Sequence, residues 1–294
     1  MSTIVVYHAG CPDGAMSAAT ASLSLPPGTV FIPATYKRPM LELITLEQAR
    51  DAYIFILDFS FFPKDLELLA SIAKRVTILD HHDSTIKRFT GWTAPMNIEF
   101  TLNKTMCGAM LTWKHFKPTW IVPKLLDCID DYDRWQHRFP ESRAIHALLR
   151  SYVMDIETFA KMVQQPFDNR WVTEGEIILR ANQQQARIIA GKSEEVRFAG
   201  IAGLAVNSPV HQDDIGEMLA KQGDIGIVWY YRNRNYKVSM RSIKNNVYKI
   251  AEMYGGSGHE HSASFTCNDL PWNLPYETEA ELASIRESIE RHEF

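Results

Sequence analysis

Val76-Thr77-Ile78-Leu79-Asp80-His81-His82 is the stretch whose reading decides the fold. Its first four residues are apolar or β-branched and read as a short buried strand. The strand ends in one carboxylate and two imidazoles. Open α/β sheets bind their ligands beyond the carboxyl ends of the strands. Two other runs end in the same way. Thr3-Ile4-Val5-Val6-Tyr7 leads into His8, with Asp13 just beyond, and Tyr53-Ile54-Phe55-Ile56-Leu57 leads into Asp58. Three strands that each deliver a histidine or an aspartate at the same end can build one metal cluster.

The 294 residues suffice for one large domain or two ordinary ones. A net charge of -4 argues against a protein that grips long duplex nucleic acid by charge, so any nucleic acid is expected to be a short substrate held locally. Cys11, Cys107, Cys128 and Cys267 lie far apart with no CxxC pair. That pattern speaks against a zinc ribbon or a disulfide framework and for a reducing interior. No signal peptide and no apolar run of membrane-spanning length is read in the sequence. The expectation is a soluble, cytoplasmic protein with no membrane partner, for which a homodimer is an allowed assembly.

Strand and helix signals alternate through residues 1–150. Strands are expected at 3–7, 29–34, 53–57 and 75–79. A helix of small residues runs from Ala15 to Leu23, and Pro63 opens another at 63–73. Repeated strand–helix–strand units imply a parallel sheet with right-handed crossovers. From Thr105 to Leu149 the pattern turns helical, and Met106, Ala109, Met110, Trp113 and Phe116 fall at helical spacing as core positions. Residues 151–193 read as a helical linker. After it, strands are expected at 196–198, 201–206, 225–230 and 236–240, with helices at 213–221 and 247–254. Glu277–Phe294 reads as a charged helix. The expected fold class is α/β: a parallel-sheet N-terminal domain (1–150), the linker, and a smaller α/β C-terminal domain (194–294), with the active site in the cleft between them.

Mixed aspartate and histidine sets suit manganese, magnesium or zinc. Asp58 emerges between the His8 strand and the Asp80-His81-His82 strand, a place from which it can bridge two ions. Two ions a few Å apart activate a shared water and clamp the oxygens of a phosphate under attack. A further carboxylate must come from Asp130, Asp131 or Asp133, with Asp131 the first choice and Asp133 the next. In the second domain, Tyr254-Gly255-Gly256-Ser257-Gly258-His259 offers glycine backbone that can approach a phosphate closely. Arg241, at the end of a strand, presents a planar fork matched to phosphate.

In this order and spacing the chain resembles the DHH phosphoesterase superfamily with its DHH-associated C-terminal domain, and within it the oligoribonuclease and nucleotide phosphodiesterase members. The matching residues are His8…Asp13-Gly14, Asp58, Asp80-His81-His82, Asp130-Asp131-Tyr132-Asp133-Arg134-Trp135, Arg241-Ser242 and Gly255-Gly256-Ser257-Gly258-His259, spanning about residues 3–267. The resemblance implies a two-manganese site, with magnesium or zinc as alternatives, held by His8, Asp13, Asp58, His81 and Asp131. It makes Asp58 the bridging carboxylate, His82 a substrate-facing catalytic imidazole and Asp80 its supporting carboxylate. Arg241, Gly255, Gly256, Gly258 and His259 are implied on the substrate side. One departure stands out: the family's first motif carries two aspartates, and the first of them falls here on Cys11. Its sulfur, a further donor alongside Asp133, is softer and favours zinc or iron over manganese.

The function expected is hydrolysis of short oligonucleotides or nucleotide-derived phosphodiesters, exonuclease-like, by a water that two metals activate. A phosphoanhydride hydrolase acting on pyrophosphate or polyphosphate is the first alternative. A non-catalytic nucleotide sensor with a degraded metal site is the second.

Overall fold

The computed structural model describes residues 2–35 and 38–273. The charged helix expected at 277–294 lies outside the described residues. In chain order the elements of the first part are β1 (Thr3–His8), α1 (Pro12–Ser22), β2 (Val30–Ala34), α2 (Met40–Leu43), α3 (Leu46–Ala49), β3 (Tyr53–Leu57), α4 (Pro63–Ala70), β4 (Arg75–Asp80), α5 (Asp83–Phe89), β5 (Ile98–Leu102), α6 (Gly108–Phe116), α7 (Lys124–Asp133), α8 (Ser142–Ser151), α9 (Ile156–Gln164) and α10 (Asn169–Ala190). There follow β6 (Glu194–Phe198), β7 (Ile201–Asn207), α11 (Gln212–Ala220), β8 (Ile225–Arg232), β9 (Asn235–Arg241), α12 (Val247–Met253), β10 (Ser257–His259) and β11 (Ser262–Cys267). The chain divides into two compact units, with the boundary between Leu179 and Arg180 inside α10.

Among the described residues the first unit holds a five-stranded sheet in the order β2-β1-β3-β4-β5. All its pairings are parallel. The central strands β3 and β4 read YIFIL and RVTILD because both faces of a covered parallel sheet are buried. Ile4, Val6, Ile54, Ile56, Val76 and Ile78 pack with Leu66 and Leu69 of α4. Val5, Tyr7, Leu57 and Leu79 belong to another cluster, with Ala18 and Ala21 of α1 and Leu111 of α6. The expected helical core positions Ala109, Met110 and Trp113 are buried, and Met106 and Phe116 pack against the core partly exposed. Register positions the site. Tyr7 pairs with Leu57 and Leu57 with Leu79, so His8, Asp58 and Asp80 leave the sheet side by side at its carboxyl edge.

The second unit carries a six-stranded mixed sheet in the order β10-β11-β9-β8-β7-β6. The β7–β8 pair is parallel and is joined through α11; the other pairs are antiparallel. Asn233 and Arg234 join β8 to β9 with φ of 53° and 63°, the left-handed pair that a two-residue hairpin turn requires. Three strands go beyond the sequence reading: β5, β10 and β11. Ser257–His259, read as part of a glycine loop, is a short strand paired with Ser262–Ser264.

Candidate metal centre

The loop after β1 turns directly into α1. Pro12 fits the first helical turn, and Cys11 caps it, its Sγ accepting from Gly14 N at 3.3 Å. A side chain on Gly14 would collide with the His8 carbonyl, so glycine lets α1 start against the end of β1. That close approach brings Asp13 beside His8. Asp58 follows β3 with φ 62°, a left-handed conformation in which aspartate is one of the better tolerated side chains. Asp80 ends β4, and His81 and His82 follow it.

Two groups of metal-ligating side chains form among the described residues: His8, Asp58 and His82, and Asp13, His81 and Asp133. Within each group the ligand atoms lie within 4.8 Å of one another. Asp58 joins the two. Its Oδ2 is 3.3 Å from His8 Nδ1, and its Oδ1 is 3.2 Å from His81 Nε2. His81 Nε2 also faces Asp13 Oδ2 at 3.6 Å and Asp133 Oδ2 at 3.4 Å. Asp13, Asp58 and His81 are each 1–2% exposed. Asp58 Oδ1 and Asp133 Oδ2 are buried and carry no hydrogen bond among the described residues.

Each donor is held by a second group. Asp80 Oδ1 accepts from the backbone of His81 at 2.7 Å, from that of His82 at 3.2 Å, and from His82 Nδ1 at 2.8 Å. With Nδ1 occupied, Nε2 is the atom His82 can offer to a metal, the usual division of labour in a carboxylate–histidine pair. Asp13 accepts from Gly108 N at 2.8 Å and from Ala109 N at 2.7 Å, so it sits on the first turn of α6, where the helix favours negative charge. Gly108 is also where α6 meets Asp58: a methyl there would stand 2.5 Å from Asp58 Cβ.

Of the three aspartates at the end of α7, the structure brings Asp133 to the cluster. Asp131 faces elsewhere. Its carboxylate accepts from the backbone of Arg138 at 2.8 Å and of Phe139 at 3.3 Å, and so fixes the loop that follows the helix. Asp130 accepts from Cys107 N at 2.7 Å and is forked by Arg134 at 3.0 and 2.9 Å. Cys11 Sγ lies 3.4 Å from His8 Nδ1 and 3.5 Å from Asp58 Oδ2.

The electrostatics of the metal-free centre are those of crowded carboxylates and imidazoles. Burial works against a charge on His81, yet Asp58, Asp133 and Asp13 around it push its pKa up to about 10. Burial likewise opposes a charged His8, and Cys11 and Asp58 overcome it, holding the imidazole well above its ordinary value. For Asp58, burial opposes ionisation, but His8 and His81 keep its carboxyl well below the usual range. Asp13 and Asp133 shift upward through burial, with the Asp58 charge adding to the effect. A divalent cation supplies the positive charge that these protons otherwise provide. The donor set and the two bare carboxylate oxygens therefore fit a pair of such ions.

The residues expected on the substrate side lie in the second unit. Arg241 ends β9 and its Nη2 pairs with Asp213 of α11, while Nε is buried without a hydrogen-bond partner among the described residues. Gly255 has φ 66° and Gly258 φ 143°. A side chain on Gly256 would meet Phe265 Cβ at 2.6 Å, and one on Gly258 would meet Ala263 Cα at 2.5 Å. The packing of β10 on β11 is thus enough to require both glycines. His259 pairs with Ser262 across the same strands.

No family model matches the sequence. An uncharacterized protein of Acanthamoeba polyphaga mimivirus is 25% identical over 300 residues, covering 93% of this chain and 69% of that protein. Among solved structures, a DHH domain described as a member of the s1p family of ribosomal proteins matches with a TM-score of 0.60 at 12% identity, over 99% of this chain and 86% of that one. The pGpG-specific phosphodiesterase PggH from Vibrio cholerae matches with a TM-score of 0.51 at 13% identity, over 98% and 99% of the two chains. The chain shares its overall fold with these two structures, one of them described as a DHH domain.

Proposed function

We propose that this chain is a metal-dependent phosphodiesterase that hydrolyses short oligonucleotides or nucleotide-derived phosphodiesters. The observation that carries the reading is the buried Asp58 carboxylate, which gives one oxygen to each of two donor groups at the carboxyl edge of a parallel sheet. His8, Asp58 and His82 would hold one ion; Asp13, His81 and Asp133, with the other Asp58 oxygen, would hold the second. When bound, such a pair makes a water nucleophilic near neutral pH and stabilises the charge that grows on a phosphate under in-line attack.

The chain's own residues do the positioning. Asp80 fixes the ring of His82 through Nδ1 and through two backbone amides, which sets the direction of the opposite nitrogen. The first turn of α6 pins both oxygens of Asp13. A nucleotide substrate is supported by the local basic character of β8 and β9, with Arg232, Arg234, Lys237 and Arg241 close in sequence. The shared fold with a pGpG-specific phosphodiesterase agrees with it.

The test is release of mononucleotides from a labelled RNA dinucleotide and a short RNA oligomer by metal-stripped protein, with manganese, magnesium or zinc added back. Pyrophosphate is the comparison substrate. Metal-dependent release that disappears in Asp58→Asn is the expected result. Hydrolysis of pyrophosphate with both RNAs left intact, or no turnover with any metal, overturns the reading.

A further inference from the structure

We infer that the two metal positions differ in chemical hardness: Cys11 is a sulfur ligand of the His8–Asp58–His82 position and makes it a zinc site, while the Asp13–His81–Asp133 position takes a harder ion such as manganese or magnesium. The inference rests on the proposal that these groups hold metals, and it adds which ion each one selects.

The distances carry it. In a tetrahedral zinc site the Zn–S bond is about 2.3 Å and the Zn–N and Zn–O bonds about 2.0–2.1 Å, so sulfur lies roughly 3.6 Å from each nitrogen or oxygen ligand, and nitrogen lies roughly 3.4 Å from oxygen. Here Cys11 Sγ is 3.4 Å from His8 Nδ1 and 3.5 Å from Asp58 Oδ2, and His8 Nδ1 is 3.3 Å from Asp58 Oδ2. Three donors already stand at the edge lengths of one zinc tetrahedron. His82 is the fourth, within 4.8 Å of His8 and Asp58. One sulfur, two nitrogens and one oxygen form a set that borderline-soft zinc accepts and manganese or magnesium does not favour.

The other position has a different composition. His81 Nε2 faces oxygens of Asp13, Asp58 and Asp133 at 3.2–3.6 Å. One nitrogen and three carboxylate oxygens suit a hard ion. A second thiol lies nearby: Cys107, buried at the cap of α6, whose backbone N–H donates to Asp130 and whose helix holds the Asp13 carboxylate. It is therefore the sulfur that a test must separate from Cys11. The simpler role for Cys11 is helix capping, since its Sγ accepts from Gly14 N. Serine is a preferred capping residue and would serve that role, whereas only sulfur adds the soft donor. Coordination replaces the Cys11 S–H bond with an S–metal bond, and the proton leaves to solvent.

Cobalt reports the geometry without turnover. Metal-stripped protein is titrated with cobalt and the near-ultraviolet sulfur-to-cobalt charge-transfer band is followed. The expected result is a band in the wild type and in Cys107→Ser that is lost in Cys11→Ser, a variant whose hydroxyl keeps the cap. Zinc should abolish the band while a second, sulfur-free cobalt remains bound. X-ray absorption at the zinc edge of the wild type, expected to show one sulfur neighbour, gives an answer that depends on no variant. Cobalt binding with no sulfur band, a band that survives in Cys11→Ser, or a band lost in Cys107→Ser overturns the zinc-site assignment and leaves the metal centre standing. Absence of any cobalt binding overturns both.

Discussion

Replacing Gly108 by alanine should cut turnover about 100-fold and weaken both metals together, with the fold intact. The added methyl would stand 2.5 Å from Asp58 Cβ, 2.9 Å from Cγ and 2.8 Å from Oδ1. Carbon atoms in contact settle at about 3.5–4.0 Å, so relief of the overlap needs a displacement of about 1 Å. Asp58 is 1% exposed and has little free space into which to move. Its oxygens are 3.3 and 3.2 Å from the imidazoles of the two donor groups, so a shift on that scale disturbs both at once. Misplacement by about 1 Å is enough to cost about 10²-fold in rate. Gly108 is the first residue of α6, so the methyl acts mainly by overpacking, which costs about 1–3 kcal/mol and leaves a domain of ordinary stability folded. The assay is calorimetric titration of the metal-stripped variant with zinc and with manganese, then turnover of an RNA dinucleotide, with a far-UV thermal melt as the check on folding. Gly191→Ala is the control, since a methyl there meets nothing closer than Arg187 O at 3.5 Å. A folded Gly108→Ala with wild-type metal affinity and turnover would refute the shared-carboxylate geometry.

Asp131→Asn and Asp133→Asn should separate structure from metal binding. The first loses charge-assisted bonds to the Arg138 and Phe139 amides, worth about 1.5–3 kcal/mol each, so its melting temperature should fall while its metal titration stays near wild type. The second should show the reverse, with metal affinity lost and the metal-free melt little changed; equal behaviour of the two would contradict the assignment of roles. Asp155→Ala removes the cap of α9, where the carboxylate accepts from Thr158 N at 2.8 Å, and should cost about 1 kcal/mol at neutral pH. Its pKa is lowered by the bond from Thr158, so the contribution is complete above the unfolded value of about 4 and fades as the pH falls through the folded one. Denaturant midpoints of variant and wild type should therefore converge in acid, and a constant gap would rule out the carboxylate as its source.

The parts of the fold visible in the sequence are those where local pattern and burial agree. β1, β3 and β4 are largely apolar runs in the covered sheet; β1 and β4 end in His8 and Asp80, and β3 is followed at once by Asp58. β5 is an edge strand, IEFTL, with three consecutive exposed residues, so it carries neither an apolar run nor a clean alternation. β11, SASFTC, buries only Ala263 and Phe265 fully and hides its period among small polar residues. At the end of α7, composition offers three aspartates, and choosing among them requires the helix phase and the path of the next loop. Gly108 left no local signal, because the group it makes room for, Asp58, is far away in the chain. Gly256 and Gly258 were legible as glycines but not as packing requirements, which depend on the later strand β11.

The left-handed backbone of Asp58 bears on how the position can be altered at all. Aspartate and asparagine tolerate that region better than residues with longer side chains. Glutamate, the replacement that keeps the charge, adds a methylene to a carboxylate already pressed against Gly108 and gains nothing from the backbone. Asparagine keeps both shape and backbone preference and removes only the charge. At this position the replacement closest in chemistry is the more disruptive one, and variation that preserves the strand end is confined to residues that can turn left-handed while staying short.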